Sequence, residues 1–176
     1  MYLSFQILAL DSAEFISHWS SKYRYPKEHK YTNNIGRPLT DDSLRELFEW
    51  KNGTGDEISP GKMRSMAENY PIVFEGDKVS RYLNHKHTGG AIWNIFYLHC
   101  LEPHTWPIFD QHTFRAMRYL KNGRIEEIGN TNKKKYESYL NEYIHFLADL
   151  AAPDQRTVDK ALFAFGRFLK LASLYG

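Results

Sequence analysis

The sequence predicts an all-α protein of about seven or eight helices. Apolar residues recur at intervals of three and four along most of the chain, which is the period of an amphipathic helix, whereas the alternation typical of strands is weak. Residues that favour helix starts precede several of these stretches, and glycine or proline follows them. The length of 176 residues fits one domain or two lobes that share a core.

The first half of the chain follows this pattern element by element. After an ambiguous segment at 3–10, Asp11 or Ser12 caps a helix that extends to about Tyr23, and the polar stretch 26–38 is typical of a loop. Three further helices are predicted in this half: 41–52 between Thr40 and Gly53, one from Ser59-Pro60 to about Asn69, and a short one near 78–84.

The second half predicts four helices. Residues 91–101 are apolar almost all round, which indicates a central and buried helix. The next helix begins at Asp110 and stops at Asn122-Gly123. Two longer helices follow, with apolar stripes between 136 and 150 and between 158 and 172, and Pro153 separates them.

Composition excludes several classes of protein. With 42% apolar residues and no long uncharged apolar run, the chain is predicted to be folded and not to span a membrane. The segment 1–10 lacks the basic start and the cleavage site of a signal peptide, so we expect a cytoplasmic location. A single cysteine, Cys100, excludes an internal disulfide, a zinc finger built on paired cysteines and a four-cysteine iron–sulfur cluster.

The charge does not by itself indicate a nucleic-acid-binding protein, since the formal net charge is only +2. A modest basic patch lies between 115 and 135, where two glutamates oppose seven cations: Arg115, Arg118, Lys121, Arg124, Lys133, Lys134 and Lys135. Such a patch is either a solvated helix face or a surface that binds a phosphate backbone.

Several catalytic chemistries lack their motifs. The sequence has no nucleophile elbow and no phosphate-binding loop of the Walker type, and Cys100 stands in an apolar run that disfavours a thiolate. Histidines and acids do cluster, but with no recognised metal-binding spacing: His85, His87, His99, Glu102, His104, Asp110 and His112. We therefore expect neither a metal nor another cofactor.

The segment 88–120 carries a more specific pattern. A Gly89-Gly90 turn opens the buried helix, an apolar loop passes through Trp106, and Phe109-Asp110-Gln111-His112-Thr113-Phe114-Arg115 starts the next helix. This order of parts resembles the helix-hairpin-helix DNA glycosylase superfamily, which includes endonuclease III and the 8-oxoguanine glycosylases. In that family a glycine-bearing hairpin precedes a catalytic aspartate at a helix start, in a pattern like Val-Asp-Thr-His-Val-x-Arg.

The resemblance implies roles for particular residues. Asp110 matches the catalytic aspartate, while His112 and Arg115 match the family's histidine and arginine. The hairpin lacks the family's Gly-x-Gly spacing, and Ala91 or Ile92 stands where bifunctional members carry a lysine. The resemblance therefore implies base excision without strand cleavage.

The same resemblance implies a fold with two helical lobes and a central cleft. One lobe comprises 24–105, and the other comprises 1–23 with 106–176. The expected partner is double-stranded DNA, with association with the nucleoid when bound, in a role in repair or in defence against foreign DNA. Backbone contacts are expected from Thr88, Gly89, Gly90, Arg115, Lys133, Lys134 and Lys135.

The residue chemistry fits this expectation and leaves alternatives open. Cleavage of an N-glycosidic bond needs a fixed anion near a sugar with oxocarbenium character, and Asp110 at a helix start supplies one. Gln111, His112, Trp106 and Asn94 are the candidates that orient or enclose the base. Asp110 equally serves as a helix cap in a non-catalytic module that binds nucleic acid or protein, and a histidine and carboxylate metal hydrolase is a third hypothesis.

Overall fold

The computed structural model describes residues 11–53, 58–150 and 154–175. Within these ranges it contains nine helices and no strand, which confirms the all-α prediction. The segment 3–10 and Pro153 lie outside the described residues. The helices, in chain order, are α1 (Ser12–Ser20), α2 (Glu28–Thr32), α3 (Asp41–Asn52), α4 (Pro60–Asn69), α5 (Lys78–Tyr82), α6 (Ala91–Leu101), α7 (Gln111–Asn122), α8 (Asn132–Ser138, continued by Tyr139–Tyr143 and Ile144–Asp149) and α9 (Gln155–Ala172).

Local sequence signals explain most of the helix ends. Thr40 and Ser43 form a reciprocal capping box at the start of α3, and Gly53 ends that helix with a left-handed φ of 72°. Asp154 accepts hydrogen bonds from the backbone N–H groups of Arg156 and Thr157 at the start of α9. These predicted boundaries are confirmed.

Two features differ from the prediction. The stretch expected to be a loop at 26–38 contains α2, whose Tyr31 is 4% exposed. A helix of five residues with one buried side chain shows no measurable period, so the sequence pattern could not reveal it. In α8 the residues Tyr139–Tyr143 form a π-helical turn, which likewise leaves no periodic signal.

The core confirms the central position predicted for α6. Ile95, Phe96, Tyr97 and Leu98 of this helix are completely buried, and α6 packs against α3, α5 and α8. A second set of contacts joins α9 to α1 and α7. The buried apolar side chains of the described residues form one cluster, and the division into two lobes stays a prediction.

The packing of α9 against α7 is unusually close at Gly166. A Cβ atom at this position would overlap the backbone carbonyl of His112, in the first turn of α7. Gly166 therefore sets the distance between α9 and the residues that follow Asp110. Among the described residues, no helix is both long and apolar enough to cross a membrane.

Candidate active site at the start of α7

Asp110 lies at the N-terminal end of α7, where its backbone is extended. Its Oδ1 atom accepts hydrogen bonds from the backbone N–H groups of His112 at 2.8 Å and Thr113 at 3.0 Å. The Thr113 hydroxyl accepts in turn from the Asp110 N–H at 3.0 Å, which completes a capping box. These bonds fix the carboxylate and leave Oδ2 free of the helix backbone.

Lys51, in the last turn of α3, contacts this second oxygen. Its Nζ atom lies 3.4 Å from Asp110 Oδ2 and 3.4 Å from the carbonyl oxygen of Phe109, and it stands over the Phe96 ring. The Lys51 side chain is 6% exposed and the Asp110 side chain is 21% exposed, so the lysine is buried and the ion pair is only partly accessible to water.

Lys51 was not predicted as a site residue, because the family pattern places an amine only at 91–92, next to the hairpin-like turn. A lysine in a last helical turn is also an ordinary partner of the helix dipole. Nothing in its local sequence indicates a contact with a residue 59 positions later.

The electrostatic surroundings keep Asp110 ionised. Burial raises the pKa of this carboxyl, but the charge of Lys51 and the N–H groups of Thr113 and His112 lower it more, so the net shift of the pKa is downward. Asp110 is therefore a fixed anion at neutral pH.

Asp110 and Lys51 line a small cavity. Its volume is about 10 Å³, which is about the space that one water molecule needs. Half of its eight lining residues are aromatic, and they include a second carboxylate: Tyr23, Tyr25, Trp50, Lys51, Ile108, Asp110, Asp159 and Phe163.

Asp159, on α9, is 8% exposed and was not a predicted site residue. Arg156 donates a hydrogen bond to its Oδ2 and also binds Glu28 at 2.6 Å and the Tyr23 hydroxyl at 3.0 Å. Burial raises the pKa of Asp159, Arg156 opposes this and the Asp110 charge adds to it, with a net rise to about 6. The two carboxylates of the small cavity therefore have pKa values shifted in opposite directions.

A larger pocket of about 530 Å³ shares Ile108 and Asp159 with the small cavity. This volume falls within the range of small-molecule sites. The Arg156 guanidinium also lines the larger pocket, and its Nε atom is buried without a hydrogen-bond partner.

His99 forms part of the wall of the larger pocket. Its Nδ1 lies 2.7 Å from the Trp106 carbonyl oxygen and its Nε2 lies 2.8 Å from the Tyr31 hydroxyl. Burial lowers the pKa of His99 to about 3, so the ring is neutral. A carbonyl only accepts, so Nδ1 carries the proton and Nε2 accepts from Tyr31.

The four residues expected to orient or enclose a base do not line the small cavity. The Oε1 atom of Gln111 accepts a hydrogen bond from the Ile128 N–H at 3.0 Å, and the Trp106 carbonyl accepts one from His99 while the Trp106 ring packs against the core. Asn94 is completely buried between the hydroxyl groups of Tyr70 and Tyr136. These three residues stabilise the frame around the site.

His112 lies beside the cavity rather than in it. Its ring contacts Phe163 edge-on at 4.9 Å, and its Nδ1 lies 3.2 Å from an Arg115 nitrogen. Burial lowers the pKa of His112, although the charge of Asp110 opposes this. His112 therefore positions Phe163, one of the cavity walls.

The residues expected to contact DNA fall into two groups. Thr88, Gly89 and Gly90 are exposed, and Asn132 at the start of α8 holds this turn through the Gly89 carbonyl and the Ala91 N–H, both at 3.1 Å. Lys133 and Lys134 are exposed and Lys135 is half-buried next to this junction. The turn and the exposed residues Lys133 and Lys134 thus lie on one face, at the start of α8.

Arg115 does not belong to that face, which corrects the expectation of a backbone contact. It is 1% exposed, and its guanidinium donates to Glu127, to the Gly166 carbonyl and towards His112. The inner side of α7 meets α9 here, so this arginine joins the two helices.

Within the described residues, no group of three or more histidine, cysteine or acidic side chains is arranged to hold a metal ion. Cys100 is buried, and burial raises its pKa well above the ordinary range, which disfavours a thiolate. Comparison with protein-family models, curated proteins and solved structures gives no match for this chain.

Proposed function

We propose that this protein is a DNA base-excision N-glycosylase that hydrolyses an N-glycosidic bond, with Asp110 as the catalytic anion. The observation that carries the proposal is the ionised Asp110 carboxylate, fixed by its own helix at an aromatic cavity. A carboxylate held in this way stabilises the positive charge that develops on the sugar as the bond breaks.

The cavity beside Asp110 suits the second requirement, which is a placed water molecule. Its volume of about 10 Å³ holds about one water, and Asp110 offers that water a hydrogen-bond acceptor. The water then supplies the hydroxyl group that replaces the base.

The contact between Lys51 and Asp110 supports hydrolysis without strand cleavage. Strand cleavage by a Schiff base requires an amine with a free lone pair. Here the Lys51 amine is bound to a carboxylate and a backbone carbonyl, and its charge contributes to keeping Asp110 ionised. Lys51 is therefore a positioning residue in this proposal.

The exposed turn at 88–90 and the neighbouring lysines support DNA as the partner. Backbone N–H groups in a glycine turn and cations at a helix start both suit phosphate groups. Lys133 and Lys134 add two exposed positive charges to this face.

The second candidate is a non-catalytic nucleic-acid-binding module. One observation favours it: the hydrogen bonds of Asp110 to the α7 backbone resemble those of Asp77 at α5 and Asp154 at α9. In that case Asp110 is only a cap, and duplex DNA binds without losing a base.

The deciding experiment compares Asp110→Asn with the wild type on duplex oligonucleotides that carry oxidised, alkylated and deaminated bases. Asparagine keeps the cap but removes the anion, so we expect the fold and duplex binding to persist while base release falls by several orders of magnitude. Released base and alkali-labile abasic sites are measured under single-turnover conditions.

Asp77→Asn is the matched control, because it changes a cap of the same kind that lies outside the cavity. We expect it to release bases at the wild-type rate. Binding without base release by the wild-type protein would favour the non-catalytic module, and an adduct trapped by borohydride would contradict hydrolysis without strand cleavage.

A further inference from the structure

Asp159 lies between the two spaces of the candidate site. It lines the water-sized cavity together with Asp110, and it also lines the 530 Å³ pocket together with Arg156. A group in this position reaches both a molecule in the larger pocket and the space beside Asp110.

The size and the lining of the larger pocket suit a small polar ligand. Its wall combines the apolar residues Ile35 and Ile108 with Tyr31 and Arg156. Two nitrogen atoms of the Arg156 guanidinium already bind Asp159, Glu28 and Tyr23, so Arg156 offers a ligand its positive charge rather than a free donor.

We propose, resting on the proposed glycosylase function, that the excised base occupies this larger pocket and that Asp159 donates the proton that the base needs in order to leave. The bond between the sugar and the base nitrogen breaks, and its electron pair stays on the base. The Asp159 proton moves to the base, so the base departs neutral. Water adds its hydroxyl to the sugar and passes its proton to Asp110, and exchange with solvent then restores the proton of Asp159 and the charge of Asp110.

The charges around Asp159 are compatible with a proton at neutral to mildly acidic pH. Asp110 and Glu28 favour the protonated form, while Lys51 and Arg156 favour the ionised form. The titratable and charged groups that face it come from four helices and two connecting segments: Arg156 on α9, Lys51 on α3, Glu28 and Tyr31 on α2, Tyr143 on α8, Tyr23 and Tyr25 between α1 and α2, and Asp110 before α7.

The roles of the two carboxylates then differ as their pKa values differ. Burial raises the pKa of Asp159 to about 6, whereas Lys51 and the helix N–H groups outweigh burial and lower the pKa of Asp110. Opposite shifts of two neighbouring carboxylates are the arrangement that separates a proton donor from an anion.

The test compares two substrates in one variant. Asp159→Asn is measured on duplex DNA that carries a neutral purine lesion released by the wild type and on the same DNA with that purine methylated at N7. The methylated base is already cationic and needs no proton to leave. We expect release of the neutral base to fall about 100-fold or more, as expected for the loss of a general acid, and release of the cationic base to change by less than about threefold.

The cationic substrate also serves as the control for folding, since a misfolded variant loses both reactions. In the wild type, release of the neutral base should fall about tenfold per pH unit above about pH 6, and Asp159→Asn should abolish this dependence. Carbon-13 NMR of the aspartate carboxyl groups provides a second measurement, with a titration near pH 6 that Asp159→Asn removes.

Equal loss of both bases in an Asp159→Asn variant that still unfolds cooperatively in urea, or a titration of Asp159 below about pH 4.5, would overturn this inference and leave the glycosylase function intact. A wild-type protein that releases neither base gives a different result, because it overturns the glycosylase function and this inference together.

Discussion

At the scale of the residue, Asp110 combines a structural and a chemical role. Oδ1 is engaged by the helix backbone, as at Asp11 and Asp77, but Oδ2 contacts the buried Lys51 and the carboxylate lines a cavity. The cap follows from the local sequence, because Asp is a favoured residue at this position. The contact with Lys51 depends on the packing of α3 near the start of α7, which no local pattern encodes.

Arg115 and Asn94 also have partners that no local sequence pattern predicts. Arg115 belongs to a basic run, which predicts a position at the surface. In the structure its side chain instead lies on the inner face of α7 and donates to the Gly166 carbonyl and to Glu127. For Asn94, an amide in an apolar helix requires a hydrogen-bond partner, because an unpaired buried amide is costly. The structure provides that bond through Tyr136, although the sequence could not identify the partner.

At the scale of the element, the start of α8 and the turn at 88–90 form the proposed DNA-binding face. Lys133→Gln with Lys134→Gln removes two exposed charges, so we expect the slope of log affinity against log salt to decrease by about 2, at one counterion per phosphate contact. Fluorescence anisotropy with a short duplex measures the slope.

Lys22→Gln with Arg37→Gln is the charge-matched control, because both side chains are exposed and lie next to α1 and α2, whose main contacts are with α9 and α3 rather than with α8. The slope of that variant should equal the wild-type slope. An equal decrease in both double variants would assign the salt dependence to net charge and contradict a specific face.

The crossing of α9 and α7 gives a second prediction at this scale. Gly166→Ala places a Cβ against the His112 backbone, which has no freedom to rotate away, so the helices must separate. We expect a loss of about 1–3 kcal/mol or more in the free energy of unfolding. Urea denaturation measures this loss.

Gly61→Ala is the control for the glycine prediction. This residue lies in α4 with no atom within 4 Å of an added Cβ, so alanine should stabilise the protein by about 0.5–1 kcal/mol. If Gly166→Ala and Gly61→Ala changed the free energy of unfolding in the same direction, the close approach of α9 and α7 at Gly166 would be contradicted.

At the scale of the whole molecule, the helical class and most helix ends follow from the sequence, because period and caps are local properties. The candidate site cannot be predicted from such local properties, since its residues come from α3, the loop before α7, and α9. The aromatic residues illustrate the difficulty: the chain has 27 of them, and only the packing distinguishes Trp50 and Phe163 at the cavity from rings such as Tyr97 in the core.

Two buried groups, Asp159 and His99, make the stability of the protein depend on pH in opposite directions. The raised pKa of Asp159, about 6, means that unfolding releases a proton between about pH 4 and 6, so the contribution of this group to stability falls as pH rises through that range. The pKa of His99, lowered to about 3, means that unfolding takes up a proton between about pH 3 and 6.5, so its contribution rises with pH. The two contributions oppose each other between about pH 4 and 6.

Asp159→Asn removes one of these opposing contributions and leaves the other. We expect the slope of the unfolding free energy against pH to become more positive by up to about 1.4 kcal/mol per pH unit between pH 4 and 6, which corresponds to one proton. Urea denaturation at intervals of half a pH unit measures both slopes. Parallel curves for the variant and the wild type would show that Asp159 titrates at its ordinary pKa in the folded protein, because only a raised pKa couples this carboxyl to folding in that range.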